Sequence, residues 1–249
     1  MEKRSKVIIV MPAYNAQKTL KQTLDDIPQG SFDEIILVDD FSKDETIKTA
    51  KELGLKVIVH DRNKGYGGNQ KTCYREALKD GADIVVMLHP DYQYDPRLVP
   101  FLAGIIEAGV CDIMLASRIR TRKETLDGGM PKYKYLSNRI LTVLENFVLG
   151  FNLGEFHSGY RAFSRQALEK LNIDFCSDDF VFDQEILAQA AVAGLRVGDI
   201  PVTAKYFPEA SSINFSRSVS YGLGILLLMA KYILFKTGIY TSKLFEEKR

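Results

Sequence analysis

The chain has 249 residues, 46% apolar and 26% charged, with a formal net charge of +1. That is ordinary globular composition, with length for one large α/β domain, and the charge balance excludes a nucleic-acid-sized basic footprint. Three cysteines, Cys73, Cys111 and Cys176, are far apart in sequence, which argues for a reducing compartment and against a disulfide framework or a thiolate metal site.

The first apolar run, "KVIIVM", is a strand's length before Pro12, the pattern of an opening strand and not of a secretory signal. It is followed by "AQKTLKQTLDDI", "EIILVDD", "KDETIKTAKELG", "KVIVH", "GGNQKTCYREALKDG", "DIVVMLH", "PRLVPFLAGIIEAG" and "DIMLAS". Short β-prone runs alternating with amphipathic helix-length stretches predict a mostly parallel sheet with helices on both faces. Ser42 or Asp44 is expected to cap the second helix, and Gly54 and Gly81 to end helices. From about residue 120 the pattern changes. "TRKETLDGGMPKYK" reads as a polar loop and "YLSNRILTVLENFVLG" as a long helix. Then come "GYRAFSRQALEKL", the helix "DDFVFDQEILAQAAVAG", the strand "RVGDIPV" and a helical C-terminal region. No composition break forces a second domain.

In such sheets ligands sit beyond the carboxyl ends of the strands. Those ends read "MPAYNA", "VDDFSKDET", "HDRNKGYGG", "HPDYQYDP" and "ASRIR", gathering acids, amides, glycines and an arginine on one rim. A nicotinamide-type fold needs G-x-G-x-x-G after the first strand, and "PAYNA" has no glycine. Tyr14 offers a ring face and Pro12 a rigid edge for a nucleobase; Pro12 as a plain strand terminator is the alternative. Arg118, just past a strand, suits a diphosphate because its fork of donors matches phosphate oxygens; a surface ion pair is the alternative.

Taken together, "MPAYNAQKTL", "ILVDDFSKDET", "RNKGYGGNQKTCYREAL", "PDYQYDP" and "SGYRAFSR" resemble family 2 glycosyltransferases of the GT-A fold. Within that family the chain is most similar to the dolichyl- or polyprenyl-phosphate hexose synthases. The resemblance runs over roughly residues 5 to 215. It implies a GT-A domain over residues 1–215 and inverting sugar transfer from a UDP- or GDP-linked donor to a polyprenyl-phosphate or glycan acceptor, with Mg²⁺ or Mn²⁺. Pro12, Tyr14, Asn15, Asp39, Asp40, Asn63, Gly65 and Arg118 then fall on the donor side. The family's acidic–x–acidic metal motif stands here as His89-Pro90-Asp91, followed by Tyr92 and Gln93. Asp91 and Gln93 supply hard oxygen donors. His89, in place of the first acid, is either a ligand or a strand-end residue bonded to backbone. "EFHSGYRAFSR" puts Glu155 and His157 at the acceptor motif, and "FVFDQEIL" puts Asp183 where a general base belongs, with Glu155 or His157 as alternatives and a capping carboxylate as the plain reading of Asp183. An acceptor that is already a phosphate needs no dedicated base.

Lipid-phosphate synthases follow the "IPV" strand with a basic loop. Here "KYFPEASSINFSRS" offers Lys205, Ser211 and Ser212 as acceptor contacts, a thinner set of charge. Residues 216–249 form a C-terminal amphipathic helix whose ten-residue apolar core falls short of a span, with Lys231 and Lys236 on it. It is expected to lie at the inner face of the membrane from the cytoplasmic side, or else to pack on the sheet or make a homodimer contact. The competing functions are a nucleotidyltransferase that makes the nucleotide-sugar, and a binding protein weakened at His89.

Overall fold

The computed structural model describes residues 4–204, 215–246 and 248. Lys205, Ser211 and Ser212 lie outside the described residues. Five strands run parallel in the order the apolar segments predict: β1 (Val7–Ala13), β2 (Glu34–Asp39), β3 (Lys56–Val59), β4 (Ile84–Met87) and β5 (Ile113–Ser117). Two more complete the sheet, β6 (Arg161–Ser164) and β7 (Val197–Pro201), in the order β3-β2-β1-β4-β6-β5-β7. β6 is antiparallel to both β4 and β5 and separates them. Consequently the segment leading into β6 reaches the same rim as the carboxyl ends of the parallel strands. That reversal is what brings Glu155 and His157 to the rim.

The strands read as unbroken apolar runs because both faces are covered. Ile8, Val10, Ile36, Val38, Val85 and Met87 pack in one core cluster, with residues of α3 (Gly65–Lys79), α8 (Phe182–Val192) and α9 (Phe215–Lys236). Ile9, Met11, Leu37, Val86 and Leu88 pack in the other, with α1 (Gln17–Asp25) and α4 (Val99–Glu107).

Several local expectations are corrected. The stretch read as a polar loop contains α5 (Arg122–Asp127), because Thr121 and Glu124 form a reciprocal cap: the Glu124 amide donates to Thr121 Oγ1 at 3.2 Å. α2 (Thr46–Glu52) begins after Glu45, so neither Ser42 nor Asp44 is its N-cap. Asp44 still reaches the helix start, its Oδ1 accepting from the Thr46 amide at 3.0 Å, and Ser42 Oγ and Asp44 Oδ2 accept from the amides of Asn15 (2.8 Å) and Gln17 (3.2 Å), clipping the β1–α1 loop to the β2–α2 loop. Gly54 and Gly81 do end helices, with φ of +74° and +80°.

α6 (Lys132–Leu149) packs against α9 at the edge of the domain. Ile225, Leu228, Met229 and Tyr232 of α9 are buried in the core. Ser216–Lys236 is 21 residues long with a mean hydropathy of 1.7, enough by length and composition to cross a membrane, which exceeds the ten-residue run visible in sequence. Its outer face keeps Leu223, Leu226, Leu227 and Ile233 exposed, and α6 adds the row Leu136, Ile140, Val143 and Phe147 at helical spacing. Phe147 is 87% exposed.

Candidate active site

Adjacent residues at a strand end point to opposite sides, and Asp39 and Asp40 separate accordingly. Asp39 is fully buried; its Oδ2 accepts from the Ser42 amide at 2.8 Å, while its Oδ1 has no hydrogen-bond partner within the protein. A buried carboxylate oxygen left without a partner is costly, and a ligand hydroxyl or N–H is the natural donor. Asp40 turns to the β3–α3 connection. Its Oδ1 accepts from the Lys64 amide and lies 2.8 Å from His60 Nδ1, and its Oδ2 accepts from the Gly65 amide at 3.0 Å. The Asn63 amide group donates to the Asp40 carbonyl (3.3 Å), and Asn63 Oδ1 accepts from the Gly65 amide. Gly65 has φ +84°, and a Cβ there would lie 2.6 Å from the Asp178 carbonyl oxygen, so the position needs glycine.

On β1, Pro12 pairs with Val38, and Tyr14 beyond it is 53% exposed. Asn15, at φ +53°, accepts from the Lys43 amide at 2.8 Å. Next along the chain, a recess is lined by Asn15, Gln17, Lys18, Thr19, Lys43 and Asp44.

Asp91 and Gln93 are both buried after β4, and Asp91 Oδ1 accepts from the Gln93 amide at 3.1 Å. Tyr92 between them takes φ +56° and its phenol donates to Asp26, which sets the turn. The His89 ring lies parallel to Tyr66, with centroids 5.6 Å apart, and its Nε2 is buried without a partner. A Cβ on Gly159 would come within 2.6 Å of that nitrogen and 2.8 Å of the Tyr66 hydroxyl. Burial holds the His89 imidazole below its ordinary value despite the nearby charges of Asp91 and Asp183, so the ring is neutral near pH 7. Among the described residues no three His, Cys, Asp or Glu side chains converge as a complete metal cage. Magnesium characteristically takes one or two carboxylates and completes its shell with water and phosphate, and a buried Asp91 with Gln93 fits that donor set.

On the acceptor side the predicted acids are engaged. Glu155 is fully buried; its Oε1 accepts from Arg118 Nε (2.9 Å), Arg118 Nη2 and Asn138 Nδ2 (2.8 Å), and its Oε2 accepts from the Arg118 amide (2.6 Å). Burial pushes this carboxyl upward, but the charge and hydrogen bonds of Arg118 outweigh it and hold it below the usual range. Asp183 accepts from the Tyr66 hydroxyl at 2.7 Å and lies 3.7 Å from Nη1 of the fully buried Arg161. His157 is enclosed, its Nδ1 3.1 Å from both the Tyr221 hydroxyl and Gln184 Nε2.

Three residues of this side were not singled out by sequence reasoning. Arg161 also donates to the carbonyls of Ser158, Phe156 and Asp183, fastening the acceptor motif to α8. A cation at the start of the short run "RAFS" was the available signal. Lys134 on α6 has its ammonium lowered first by burial and then by the Arg118 charge, which places the two cations together. Glu145 on α6 lies 3.3 Å from His157.

A model for glycosyl transferase family 2 matches residues 8–172. The chain is 29% identical over 242 residues to the UDP-N-acetylglucosamine–dolichyl-phosphate N-acetylglucosaminyltransferase of Methanococcus voltae, over 90% of this chain and 96% of that protein. It is 24% identical to the undecaprenyl-phosphate mannosyltransferase of Micrococcus luteus, over 80% and 83%. In fold it is similar to glucosyl-3-phosphoglycerate synthase from Mycobacterium tuberculosis. The complex of that enzyme with Mn²⁺, UDP and glucosyl-3-phosphoglycerate superposes with a TM-score of 0.66 at 19% identity, over 96% of this chain and 82% of that one. Its complex with Mg²⁺ and UDP gives 0.70 at 20%, over 96% and 81%.

Proposed function

The chain belongs to glycosyl transferase family 2 and is a glycosyltransferase of α/β, GT-A type, and we propose that it moves a sugar from a nucleotide diphosphate to a polyprenyl phosphate at the inner face of the membrane. Family membership decides against the nucleotidyltransferase alternative. The observation that carries the acceptor reading is the two-sided character of α6. At its inner face Asn138 donates to Glu155, the partner of Arg118, and its outer face is the uncovered row Leu136, Ile140, Val143 and Phe147. Arg118 is already balanced by the buried Glu155, so the reading rests on the apolar row, which suits a lipid hydrocarbon, and on the cationic excess of the helices that carry it. α6 and α9 contain a single carboxylate, the buried Glu145, against Lys132, Lys134, Arg139, Arg217, Lys231 and Lys236, which complements an anionic lipid surface.

On the donor side Tyr14 and Pro12 receive the base, the open oxygen of Asp39 receives a base N–H or ribose hydroxyl, and Arg118 faces the diphosphate. Asp91 and Gln93 hold Mg²⁺ or Mn²⁺, an assignment supported by the hard oxygen donor set and by the metal–UDP complexes of the fold neighbour. A cation held there would supply positive charge against that of the leaving diphosphate. An oxygen of the acceptor phosphate forms the new bond to the anomeric carbon as the bond to the diphosphate breaks, with inversion. The phosphate is already anionic, so Asp183, Glu155 and His157 serve as positioning groups, in keeping with their engaged lone pairs. The helix Phe215–Lys236 carries the lipid-facing side of the domain, and Lys205, Ser211 and Ser212, outside the described residues, are assigned to the acceptor phosphate.

The test is transfer of labelled sugar from UDP- and GDP-hexoses, with Mn²⁺, to polyprenyl phosphate in anionic vesicles and, in parallel, to soluble glycans. The expected product is a lipid-phosphate sugar. Transfer to the glycan alone would overturn the acceptor assignment, and nucleotide binding with no transfer would favour the weakened binding protein.

A further inference from the structure

The contact that joins α6, α8 and α9 beneath Arg118 is polar, buried and unused by the transfer step. His157 Nε2 lies 3.3 Å from Glu145 Oε2, with the two side chains 7% and 0% exposed. The approach is too bent for a well-formed hydrogen bond, and neither the Glu145 oxygens nor that nitrogen has a better-aligned partner. The terminal torsion of a glutamate is soft, so a small rotation aligns the pair.

The opposite side of the ring identifies the tautomer. Gln184 Nε2 donates to the Phe156 carbonyl at 3.0 Å, which marks it as the amide nitrogen, and it lies 3.1 Å from His157 Nδ1. An amide nitrogen is a donor, so Nδ1 is the acceptor; the Tyr221 hydroxyl lies 3.1 Å from the same nitrogen. The ring proton is therefore on Nε2, facing Glu145. The backbone of the same histidine reaches the site: its carbonyl accepts from Arg118 Nη2 at 2.7 Å.

We propose that Glu145 is a positioning residue that accepts a hydrogen bond from the Nε2–H of His157, locks the ring among α6, α8 and α9, and through the His157 carbonyl sets the Arg118 guanidinium. That this guanidinium serves phosphate rests on the function proposed above; the ring geometry does not. Burial favours the uncharged form of both partners, pushing Glu145 well up and holding His157 down to about 4. The other charges facing the ring are Glu155, which opposes the histidine's shift, and Arg118 and Arg161, which add to it. A neutral carboxyl acts through its shape and its acceptor oxygen, so glutamine is the conservative replacement.

With three histidines in the chain, long-range ¹H–¹⁵N spectra of the whole protein resolve each ring. His157 is expected to show the neutral Nε2–H pattern at pH 7 and to keep it at pH 5. An Nδ1–H pattern or an imidazolium at pH 7 overturns the proposal without any variant being made. Glu145→Ala is expected to shift and broaden the Arg118 Nε–H resonance and to weaken binding of UDP with Mn²⁺ by about ten- to a hundredfold, the scale of a small misplacement. Glu145→Gln is expected to restore both. Equal loss in the two variants overturns the neutral-acceptor role, and an unmoved Arg118 resonance in Glu145→Ala overturns the link to the site. If the wild-type chain ignores UDP, the proposed donor reading fails while the ring tautomer and the Arg118 resonance still decide this one.

Discussion

Asp39 and Asp40 differ by one position, and their environments predict opposite phenotypes. Asp40 holds two backbone amides and His60, so Asp40→Ala leaves buried donors unpaired at about 1–3 kcal/mol each. Urea unfolding is expected to show a loss of several kcal/mol in total. Asp39 accepts a single protein bond, from the Ser42 amide, and keeps its Oδ1 open. Asp39→Ala is expected to cost little stability and to remove nucleotide binding in a thermal-shift titration with UDP or GDP. Loss of stability without loss of binding would reverse the two assignments. Asp91→Asn tests the metal side, since only an anionic oxygen balances the cation. The variant is expected to melt like wild type and to lose the Mn²⁺-dependent part of nucleotide binding. Retained Mn²⁺ dependence would move the metal site off the β4 loop.

α6 is the element whose two faces meet different partners. Asn138 on its inner side donates to Glu155, while Ile140 and Phe147 on its outer side are exposed. Ile140→Glu with Phe147→Glu removes no buried contact, so the melting temperature is expected to stay within a degree or two. Co-sedimentation with anionic vesicles is expected to fall by tenfold or more, because each large apolar side chain withheld from the interface forfeits about 1.5–3 kcal/mol. If the variant instead changes the sedimentation coefficient and vesicle binding is unmoved, the face is a contact between two copies. Elements of this kind mark the limit of what the sequence discloses. The parallel strands were legible because a strand covered on both faces has no polar alternation, and "VVMLH" shows this directly. β6 was not, since Arg161 at its start breaks the apolar pattern and its antiparallel place between β4 and β5 is a tertiary choice. The cap Thr121–Glu124 was written in "TRKE" and hidden by the surrounding Gly and Pro. Lys134 and Glu145 read as ordinary helix charges; their positions became informative once α6 was laid against Arg118 and His157.

Across the whole molecule the rim is assembled from parallel strand ends and one reversed strand, and its acceptor half is unusually dry: Glu145, Glu155, Arg161 and His157 are all buried. Burying ionisable groups ties stability to pH. His157 titrates at about 4 in the folded chain, against about 6.5 when unfolded. Above the unfolded value both states are neutral and the group contributes nothing. As pH falls through the window between the two, the unfolded chain takes up a proton that the folded chain refuses, so stability falls. Integrated over that window the loss is about 3 kcal/mol. Glu145 works the other way. Its folded value is raised, so below the ordinary carboxyl range it costs nothing, and as pH rises the unfolded chain ionises while the folded one does not, again lowering stability. In the wild-type chain the two slopes oppose one another over mildly acid pH. Glu145→Gln removes one of them, and its stability is expected to drop more steeply than wild type between about pH 6.5 and 4. His157→Gln removes the other, and its stability is expected to decline, relative to wild type, as pH rises from about 4.5. Thermal melts at a series of pH values give the differences directly, with the remaining carboxylates cancelling between variant and parent. Parallel curves for all three proteins would mean that water or a counter-ion reaches this pair, and that the dry half of the site is wetter than its packing shows.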